Sequence, residues 1–317
     1  MKHVNIVVPV HNEEDNILSL IGQVQEVFEH LPYPYSFIIV DDGSTDRTLD
    51  MLRMASAADK RVRYISLSRN FGHQNALKAG LDHARGECVI TMDGDLQHPP
   101  SLIPGMIKYW EQGYDVVYTL RQDDETNTSY LKRKTSGIFY KIMNKLAGLD
   151  IEKGSADFRL LSKKVVYTLQ GIDEHELFFR GLVKWVGFRQ IGVPYKANPR
   201  VNGHSKYSFG KMLRFAVQGI TSFSTKPLYL AAYLGIIFSL LSLLYIPYAL
   251  ASYFLGHVVS GWASIIVTIA FFGGLQLSIL GIIGLYIGKV FLQGKKRPHY
   301  IIKELNHVQE AVPSAQF

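Results

Sequence analysis

The sequence predicts an α/β protein with a mostly parallel sheet, followed by helices at a membrane surface and a hairpin of two membrane-spanning helices. Short apolar runs alternate with helical patterns through roughly the first 225 of the 317 residues, which favours a sheet covered by helices. Polar residues cluster where several of those runs end. Residues 227–288 contain no Asp, Glu, Lys or Arg, which indicates the membrane part.

Five apolar runs predict short strands, and helical patterns lie between most of them. The predicted strands are residues 4–10, 37–40, 62–67, 87–92 and 115–119. The predicted helices are residues 13–30, 46–57, 74–84 and 100–112. In sheets of this kind ligands bind at the carboxyl ends of the strands, so the loops that follow the strands are candidates for function.

Four of those loops are rich in polar residues. They are residues 9–14 (Pro-Val-His-Asn-Glu-Glu), 41–46 (Asp-Asp-Gly-Ser-Thr-Asp), 68–72 (Ser-Arg-Asn-Phe-Gly) and 93–95 (Asp-Gly-Asp). The first strand is followed neither by a Gly-x-Gly-x-x-Gly pattern nor by a Gly-Lys-Ser or Gly-Lys-Thr phosphate loop. Dinucleotide-binding and P-loop functions therefore lose their main support.

Asp93 and Asp95 lie two residues apart at the end of a predicted strand. Side chains i and i+2 of an extended backbone share a face, so the two carboxylates can hold one hard cation such as Mg²⁺ or Mn²⁺. Such ions usually complete their shell with phosphate oxygens of a substrate, which points to a nucleoside diphosphate. The alternative is an acidic turn in which Asp95 or His98 caps a helix that begins near Pro99.

The uncharged segment is long enough for two membrane spans, near residues 228–254 and 263–291, joined by a short turn. The alternative is a buried hairpin in a soluble core. The flanking basic residues are Lys206, Lys211, Arg214 and Lys226 before the segment, and Lys289, Lys295, Lys296 and Arg297 at its end. Because such residues stay on the cytoplasmic side, we expect both termini in the cytoplasm and the protein in the inner or plasma membrane.

The formal net charge is +7, and basic residues cluster beside the membrane segment. We therefore expect anionic lipid, and no nucleic acid, as the partner of this charge. Residues 131–149 and 209–223 carry apolar side chains at helical spacing with basic residues among them, which is typical of amphipathic helices in the headgroup layer. Either stripe could instead pack on the sheet. Cys88 is the single cysteine, so no internal disulfide forms.

Taken together, the motifs resemble those of a known family. They are Val-Pro-Val-His-Asn-Glu-Glu at residues 8–14, Val-Asp-Asp-Gly-Ser-Thr-Asp at 40–46, Asn-Phe-Gly at 70–72 and Asp-Gly-Asp-Leu-Gln-His-Pro-Pro at 93–100. This series resembles the family 2 glycosyltransferases with the nucleotide-sugar-binding A-type fold. Ala-Asp-Phe-Arg-Leu-Leu at 156–161 and Ser-Lys-Tyr-Ser at 205–208 narrow the resemblance to the polyprenyl-phosphate glycosyltransferases. That group contains dolichyl-phosphate mannose synthases and bactoprenol glucosyltransferases.

The resemblance implies roles for residues at matching positions. It implies a nucleotide-sugar site made of Pro9, Asn12, Glu14, Asp42, Asp93, Arg200 and Lys206, the last two in a loop that closes over the diphosphate. It implies a metal site made of Asp93, Asp95 and Gln97, and a lipid-phosphate site made of Arg121 and Arg133. Catalytic roles fall to Asp95 and to Asp157, the latter as an orienting group or weak base.

Several of these residues have simpler explanations. Asn12 and Asp42 suit turns and caps beside Gly43 and Ser44. Asp157 could form only a salt bridge with a neighbouring arginine, Arg159. Gln97 lies on the side of the two carboxylates only if the backbone stays extended up to that point.

The resemblance implies inverting transfer of a hexose to undecaprenyl phosphate or another polyprenyl phosphate at the cytoplasmic membrane face, by a tetramer. Glucose from UDP-glucose is the expected donor, and the alternatives are GDP-mannose, UDP-N-acetylglucosamine or a UDP-amino-arabinose. A processive polysaccharide synthase is disfavoured because the Gln-x-x-Arg-Trp pattern is missing, and a non-enzymatic scaffold would not need Asp93 and Asp95. The expected domains are a catalytic domain (1–205), a juxtamembrane amphipathic helix (206–226), two transmembrane helices (227–292) and a basic cytoplasmic tail (293–317).

Overall fold

The fold is taken from a computed structural model of the chain, which describes residues 2–122, 148, 152, 154–196, 220–255 and 261–306. Two compact units are present. The first contains the described residues 2–122, 152, 154–196 and 297–306, and the second contains residue 148 and the described residues from 220 to 296.

The first unit is built on a sheet that has eight strands in the described part of the chain. These are β1 (Val4–Val10), β2 (Tyr35–Asp41), β3 (Val62–Leu67), β4 (Cys88–Thr91), β5 (Val116–Arg121), β6 (Ser155–Ser162), β7 (Gln190–Tyr195) and β8 (Ile302–Leu305). Their order across the sheet is β7-β5-β6-β4-β1-β2-β3-β8. The helices of this unit are α1 (Ile17–Glu29), α2 (Thr48–Ala58), α3 (His73–His83), α4 (Ile103–Glu111), α5 (Lys163–Gln170) and α6 (Phe179–Trp185), with a 3₁₀ turn over Pro100–Leu102.

The central strands have the composition of a sheet that is buried on both faces. All seven residues of β1 are buried, and so are all seven of β2. Near-continuous apolar strands of this kind occur where helices cover both faces of a parallel sheet. The parallel pairs are β1 with β2, β1 with β4, β2 with β3 and β5 with β7, so the predicted α/β class with a mostly parallel sheet is confirmed.

The parallel register brings the functional loops to one edge. Val10 at the end of β1 lies opposite Asp41 at the end of β2, and Val7 lies opposite Thr91 at the end of β4. Asp42 comes directly after Asp41, and Asp93 comes two residues after Thr91. The expectation that the polar loops converge at the carboxyl edge is therefore confirmed.

Three strands were not predicted from the sequence. β6 lies between β4 and β5 and is antiparallel to both, and β7 pairs with the outer side of β5. β8 pairs antiparallel with β3, although we expected a basic tail at residues 293–317. These pairings join segments that are far apart in the chain, so the local sequence pattern of each strand does not indicate its partner.

Side-chain contacts hold β8 against the sheet. Arg53 donates two hydrogen bonds to Glu304, one of them from Nε at 3.0 Å, and Tyr64 donates another from its hydroxyl. The amide of Ser68 donates to the carbonyl of Ile301 at 2.9 Å. The edge of β3 is thus covered, which removes one row of unpaired backbone groups.

The second unit contains two long helices, α7 (Lys226–Phe254) and α8 (Trp262–Gly294). Within it the hydroxyl of Tyr286 donates to the carbonyl of Ser224 at 2.6 Å, and the ring of Phe238 packs edge-on against Phe271. In the described residues one helix, over Ile265–Gly294, is long and apolar enough to cross a membrane, and Lys226–Leu241 forms a shorter apolar helix. The span predicted near residues 228–254 is therefore supported only over this shorter length, and the hairpin of two spans is not confirmed.

Other predictions concern residues outside the described ranges. Most of the two amphipathic helices predicted at 131–149 and 209–223 falls there, together with Arg133, Arg200 and Lys206.

Candidate active site at the carboxyl edge of the sheet

A cleft of about 540 Å³ opens at the carboxyl edge of the parallel strands. Loops that follow β1, β2, β3 and β4 form its wall, together with β6 and the start of α6. The lining includes five residues that the sequence predicted for the site: Pro9, Asp42, Asp93, Asp95 and Asp157. A parallel sheet binds its ligands at this edge, so the cleft is the candidate active site.

The loop that carries the two acidic residues is held tightly against β1. A Cβ atom added to Gly94 would lie 2.7 Å from Cγ1 of Val10, so any larger residue here would force the loop or Val10 to move. The amide of Asp93 donates to Nδ1 of His98 at 3.0 Å, and the buried His98 ring stacks on Phe158. These contacts fix the backbone that presents both carboxylates to the cleft.

Asp93 carries a buried oxygen without a hydrogen bond. Its Oδ1 atom is buried and accepts no hydrogen bond from the described residues, although Nε2 of His73 lies 3.5 Å away. A buried polar atom of this kind is costly unless a ligand or ion satisfies it. Since a carboxylate oxygen is a preferred ligand of Mg²⁺ and Mn²⁺, the Asp93 and Asp95 pair fits a hard divalent ion.

The described residues do not contain a closed metal site. No group of three or more His, Cys, Asp or Glu side chains is arranged there to hold an ion. A pair of carboxylates leaves most positions of an octahedral ion open, as in sites where substrate phosphates complete the shell.

Gln97 does not follow the extended path on which its predicted metal role depended. Leu96 has a φ of 60°, in the left-handed region, so the backbone turns between Asp95 and Gln97. Oε1 of Gln97 accepts a hydrogen bond from Nη1 of Arg121 at 3.3 Å. The extended backbone that a role of Gln97 as a third metal ligand requires is therefore absent between Asp95 and Gln97.

Arg121 lies at the end of β5 and contacts the acidic loop through Gln97. It is exposed. The backbone of Gly154 lies close to that of Arg121, since a Cβ atom added to Gly154 would lie 2.6 Å from the Arg121 carbonyl oxygen. Arg121, predicted for the lipid phosphate, is thus a cation beside the loop that carries Asp93 and Asp95.

Asn12 and Glu14 tie the loop after β1 to the loop after β2. Asn12 has a φ of 57°, and its Oδ1 atom accepts the amide of Thr45 at 2.8 Å. Oε2 of Glu14 accepts the amide of Arg47 at 2.9 Å. These contacts match the simpler explanation, turn chemistry, for Asn12.

Asp42 performs a similar task for the loop after β3. Its two carboxylate oxygens accept the amides of Phe71 at 2.7 Å and Gly72 at 2.9 Å. Gly72 has a φ of 97° and precedes α3, so this pairing sets where α3 begins. Asp42 also lines the cleft, so one side chain contacts both the cleft and the loop that precedes α3.

Asp157, on β6, is buried between two arginines. Arg180 donates to both of its oxygens, from Nε to Oδ1 at 3.1 Å and from Nη2 to Oδ2 at 2.9 Å. Nη2 of Arg159 lies 3.6 Å from Oδ1. Burial by itself would raise the pKa of the Asp157 carboxyl, but the charges of the two arginines hold that pKa well below its ordinary value. Asp157 is therefore an anion at neutral pH and a poor proton acceptor.

Two residues of the cleft were missed by sequence reasoning. His73, the first residue of α3, lies between Asp93 and Asp157, with its Nε2 atom 3.5 Å and 3.8 Å from a carboxylate oxygen of each. Its position after the Asn-Phe-Gly motif at 70–72 was a usable signal. Arg180 had no such signal, because β6 and α6 were not predicted.

Comparison with known proteins places the chain in a family. The model of the family described as "Glycosyl transferase family 2" matches residues 5–169. An uncharacterised glycosyltransferase, YkcC of Bacillus subtilis, is 42% identical over 95% of this chain and 93% of its own length. The bactoprenol glucosyl transferase of Shigella phage SfV is 41% identical over 95% of this chain and 98% of its own. A prophage bactoprenol glucosyl transferase homologue of Escherichia coli is 39% identical over 95% and 99%. The chain belongs to glycosyl transferase family 2.

Proposed function

We propose that the protein transfers glucose from UDP-glucose to the phosphate of undecaprenyl phosphate, or of another polyprenyl phosphate, at the cytoplasmic face of a membrane. The transfer inverts the configuration at the sugar C1 atom. The observation that carries the proposal is the pair Asp93 and Asp95 at the carboxyl edge of the sheet, with the buried Asp93 oxygen that accepts no hydrogen bond from described residues.

Similarity to named relatives supports the choice of substrates. Three proteins of Shigella phages or prophages named bactoprenol glucosyl transferase are about 41% identical to this chain over 95% of its length. They match over nearly their whole length, so the similarity includes the apolar C-terminal part as well as the sheet. A lipid acceptor accounts for that part, since the acceptor phosphate lies at a bilayer surface.

The chemistry requires that negative charge on the departing diphosphate be stabilised. A divalent ion bound by Asp93 and Asp95 would supply that stabilisation as a Lewis acid. The chain itself contributes a rigid backbone around both carboxylates, through Gly94 and His98. Such rigidity matters because the groups must already be in position when the charge develops.

The acceptor does not require a strong base. A phosphate monoester has a second pKa near 6, so most of it is ionised at neutral pH. Asp157, as an anion with a lowered pKa, is suited to orientation and not to proton removal. A phosphate acceptor therefore agrees with the site better than an alcohol acceptor, which would need its proton removed.

The proposal extends to residues outside the described ranges. Arg133 joins Arg121 at the lipid phosphate, and Arg200 and Lys206 bind the donor diphosphate. Two membrane spans and basic amphipathic helices hold the cleft at the cytoplasmic surface, and the active form is a tetramer. Another donor, such as GDP-mannose or UDP-N-acetylglucosamine, is the second candidate, since a few hydrogen bonds to sugar hydroxyls decide between them.

The first prediction tests the acidic pair. Asp95→Asn keeps the shape of the side chain but removes its charge, so we expect glucosyl transfer to fall by at least about 100-fold with little change in thermal stability. The measurement is mass spectrometry of the lipid product after the purified protein is incubated with undecaprenyl phosphate, Mn²⁺ or Mg²⁺, and each of several UDP- and GDP-sugars.

Asp50→Asn is the matched control, because Asp50 is an exposed carboxylate on α2, paired only with Arg53 among the described residues. Transfer at the wild-type rate by Asp95→Asn would exclude the metal role. If the wild-type protein transfers mannose or N-acetylglucosamine and not glucose, the proposed donor is wrong and the proposed acceptor still holds.

A further inference from the structure

Two hydrogen bonds constrain the contact between Arg180 and Asp157 in the cleft. Two adjacent nitrogens of one guanidinium face two oxygens of one carboxylate, at 3.1 Å and 2.9 Å. The Asp157 side chain is 8% exposed and that of Arg180 is 33% exposed. A bidentate pair fixes the rotation of a carboxylate as well as its position, which a single hydrogen bond does not.

The start of α6 fixes Arg180 in turn. The amide of Phe179, the residue before it, donates to Oε1 of Gln74 on α3 at 2.9 Å. The carbonyl of Phe179 accepts a hydrogen bond from Nη1 of Arg159 at 3.4 Å. Two neighbouring elements therefore set the backbone from which the Arg180 side chain extends.

The other charged groups near Asp157 act differently. Arg159 donates to the backbone carbonyls of Ala156 and Phe179, and its nearest approach to Asp157 is 3.6 Å. Nε2 of His73 lies 3.8 Å from Oδ2. Among the described residues, the two side-chain hydrogen bonds to the Asp157 carboxylate both come from Arg180.

We infer that Arg180 is a positioning residue of the transfer reaction, which holds Asp157 as a fixed anion in the wall of the cleft. This inference rests on the proposed function. A carboxylate has about four lone-pair sites, and Arg180 occupies two of them. The remaining sites accept hydrogen bonds from hydroxyl groups of the hexose, so Arg180 acts on the substrate through Asp157.

Kinetic variants test this role. Arg180→Gln is expected to lower kcat about 10- to 100-fold, because a misplaced orienting group costs that much, while the donor KM changes little. Arg180→Lys keeps the positive charge but cannot form the bidentate contact of a guanidinium. Its kcat is therefore expected to lie between those of the wild type and Arg180→Gln. Arg189→Gln is the matched control, since Arg189 is exposed and packs on the ring of Tyr114.

A double-mutant cycle separates positioning from direct contact. If Arg180 acts through Asp157, the double variant Arg180→Gln/Asp157→Asn has the kcat of Asp157→Asn alone. If the two losses multiply, Arg180 touches the substrate itself and the inference is wrong. A loss in Arg180→Gln that appears only in KM would also contradict it.

Thermal unfolding gives a readout that does not depend on activity. Arg180→Gln leaves a buried carboxylate with less compensation, so its Tm is expected to fall, and adding Asp157→Asn is expected to restore part of the loss. Additive Tm changes would show that the pair is not formed. If the wild type transfers no sugar from any donor, the proposed function fails and the positioning role with it, whereas the Tm cycle still reports on the pair.

Discussion

Polar side chains in the loops after β1 and β2 hold neighbouring loops together. Asp42 lines the cleft and binds the backbone amides of Phe71 and Gly72. Asn12 uses its side chain on the loop after β2. Sequence reasoning left both options open for these two residues, because Asn and Asp are common both in turns and in binding sites. The structure shows the loop contacts of both side chains and places Asp42 in the lining of the cleft.

Gly94 gives a prediction at this scale. Gly94→Ala would place a methyl group 2.7 Å from Val10, so the acidic loop must move away from β1. We expect a loss of stability of about 1–3 kcal/mol from overpacking. We also expect transfer to fall by at least about tenfold, because Asp93 and Asp95 shift with the loop. Thermal unfolding and the transfer assay measure the two effects.

Gly105→Ala is the control for Gly94→Ala. Gly105 lies in α4, and a Cβ atom there would meet no atom within 4 Å. Alanine in a helix interior is expected to leave activity unchanged and to raise stability by up to about 1 kcal/mol. Equal activity of Gly94→Ala and the wild type would show that the loop tolerates the displacement.

At the scale of elements, local patterns predicted the strands and helices of the parallel core and missed those that depend on distant partners. β1 to β5 and α1 to α4 all coincide with predicted segments. The helix predicted from residue 13 begins at Ile17, because residues 13–16 form the turn that meets α2. β6 and β8 are antiparallel strands inserted beside β4 and β3, and their sequences carry no marker of those neighbours.

The attachment of β8 gives a prediction that involves pH. The hydrogen bond from Arg53, with that from Tyr64, lowers the pKa of Glu304 from 4.5 to about 2. A lowered folded-state pKa stabilises the fold above the unfolded value, so the contribution is complete above pH 4.5 and is lost as the pH falls toward 2. We expect the β3 and β8 amides to exchange hydrogen faster as the pH falls from 4.5 toward 2, after correction for the intrinsic exchange rates.

Glu304→Gln should remove the pH dependence of hydrogen exchange that comes from this carboxylate. In that variant β8 is expected to exchange faster than in the wild type at pH 7, with no additional loss between pH 4.5 and 2 from this residue. Lys60→Gln, at an exposed position just before β3, is the control and should behave as the wild type does. Unchanged exchange in Glu304→Gln would mean that the backbone ladder alone holds β8.

At the scale of the whole molecule, the apolar part and the sheet form separate compact units. Their charge pattern predicts that the segment between α7 and α8 lies outside the cytoplasm, because basic residues flank the two helices on their other ends. The described residues contain one helix of spanning length, over Ile265–Gly294, so the span predicted near residues 228–254 is the part to test.

Cysteine labelling of intact cells measures this topology. A cysteine at Ser260 is expected to react with a membrane-impermeant maleimide from outside, and one at Ser314 only after the membrane is permeabilised. Burial raises the pKa of the native Cys88 to about 12, so this thiol stays protonated and gives a low background. Labelling of Ser260→Cys only after permeabilisation would show that the two helices do not form a spanning hairpin.

The sequence by itself determined the α/β class, the family resemblance, the convergence of polar loops at one sheet edge and the acidic pair Asp93 and Asp95. These follow from periodicity and from residue chemistry over short stretches of chain. Only the tertiary structure decided that Gln97 turns toward Arg121, that His73 lies between two carboxylates and that Arg180 holds Asp157. Such pairs join residues at least 20 positions apart, and their distances depend on strand pairing and helix packing that no local pattern encodes.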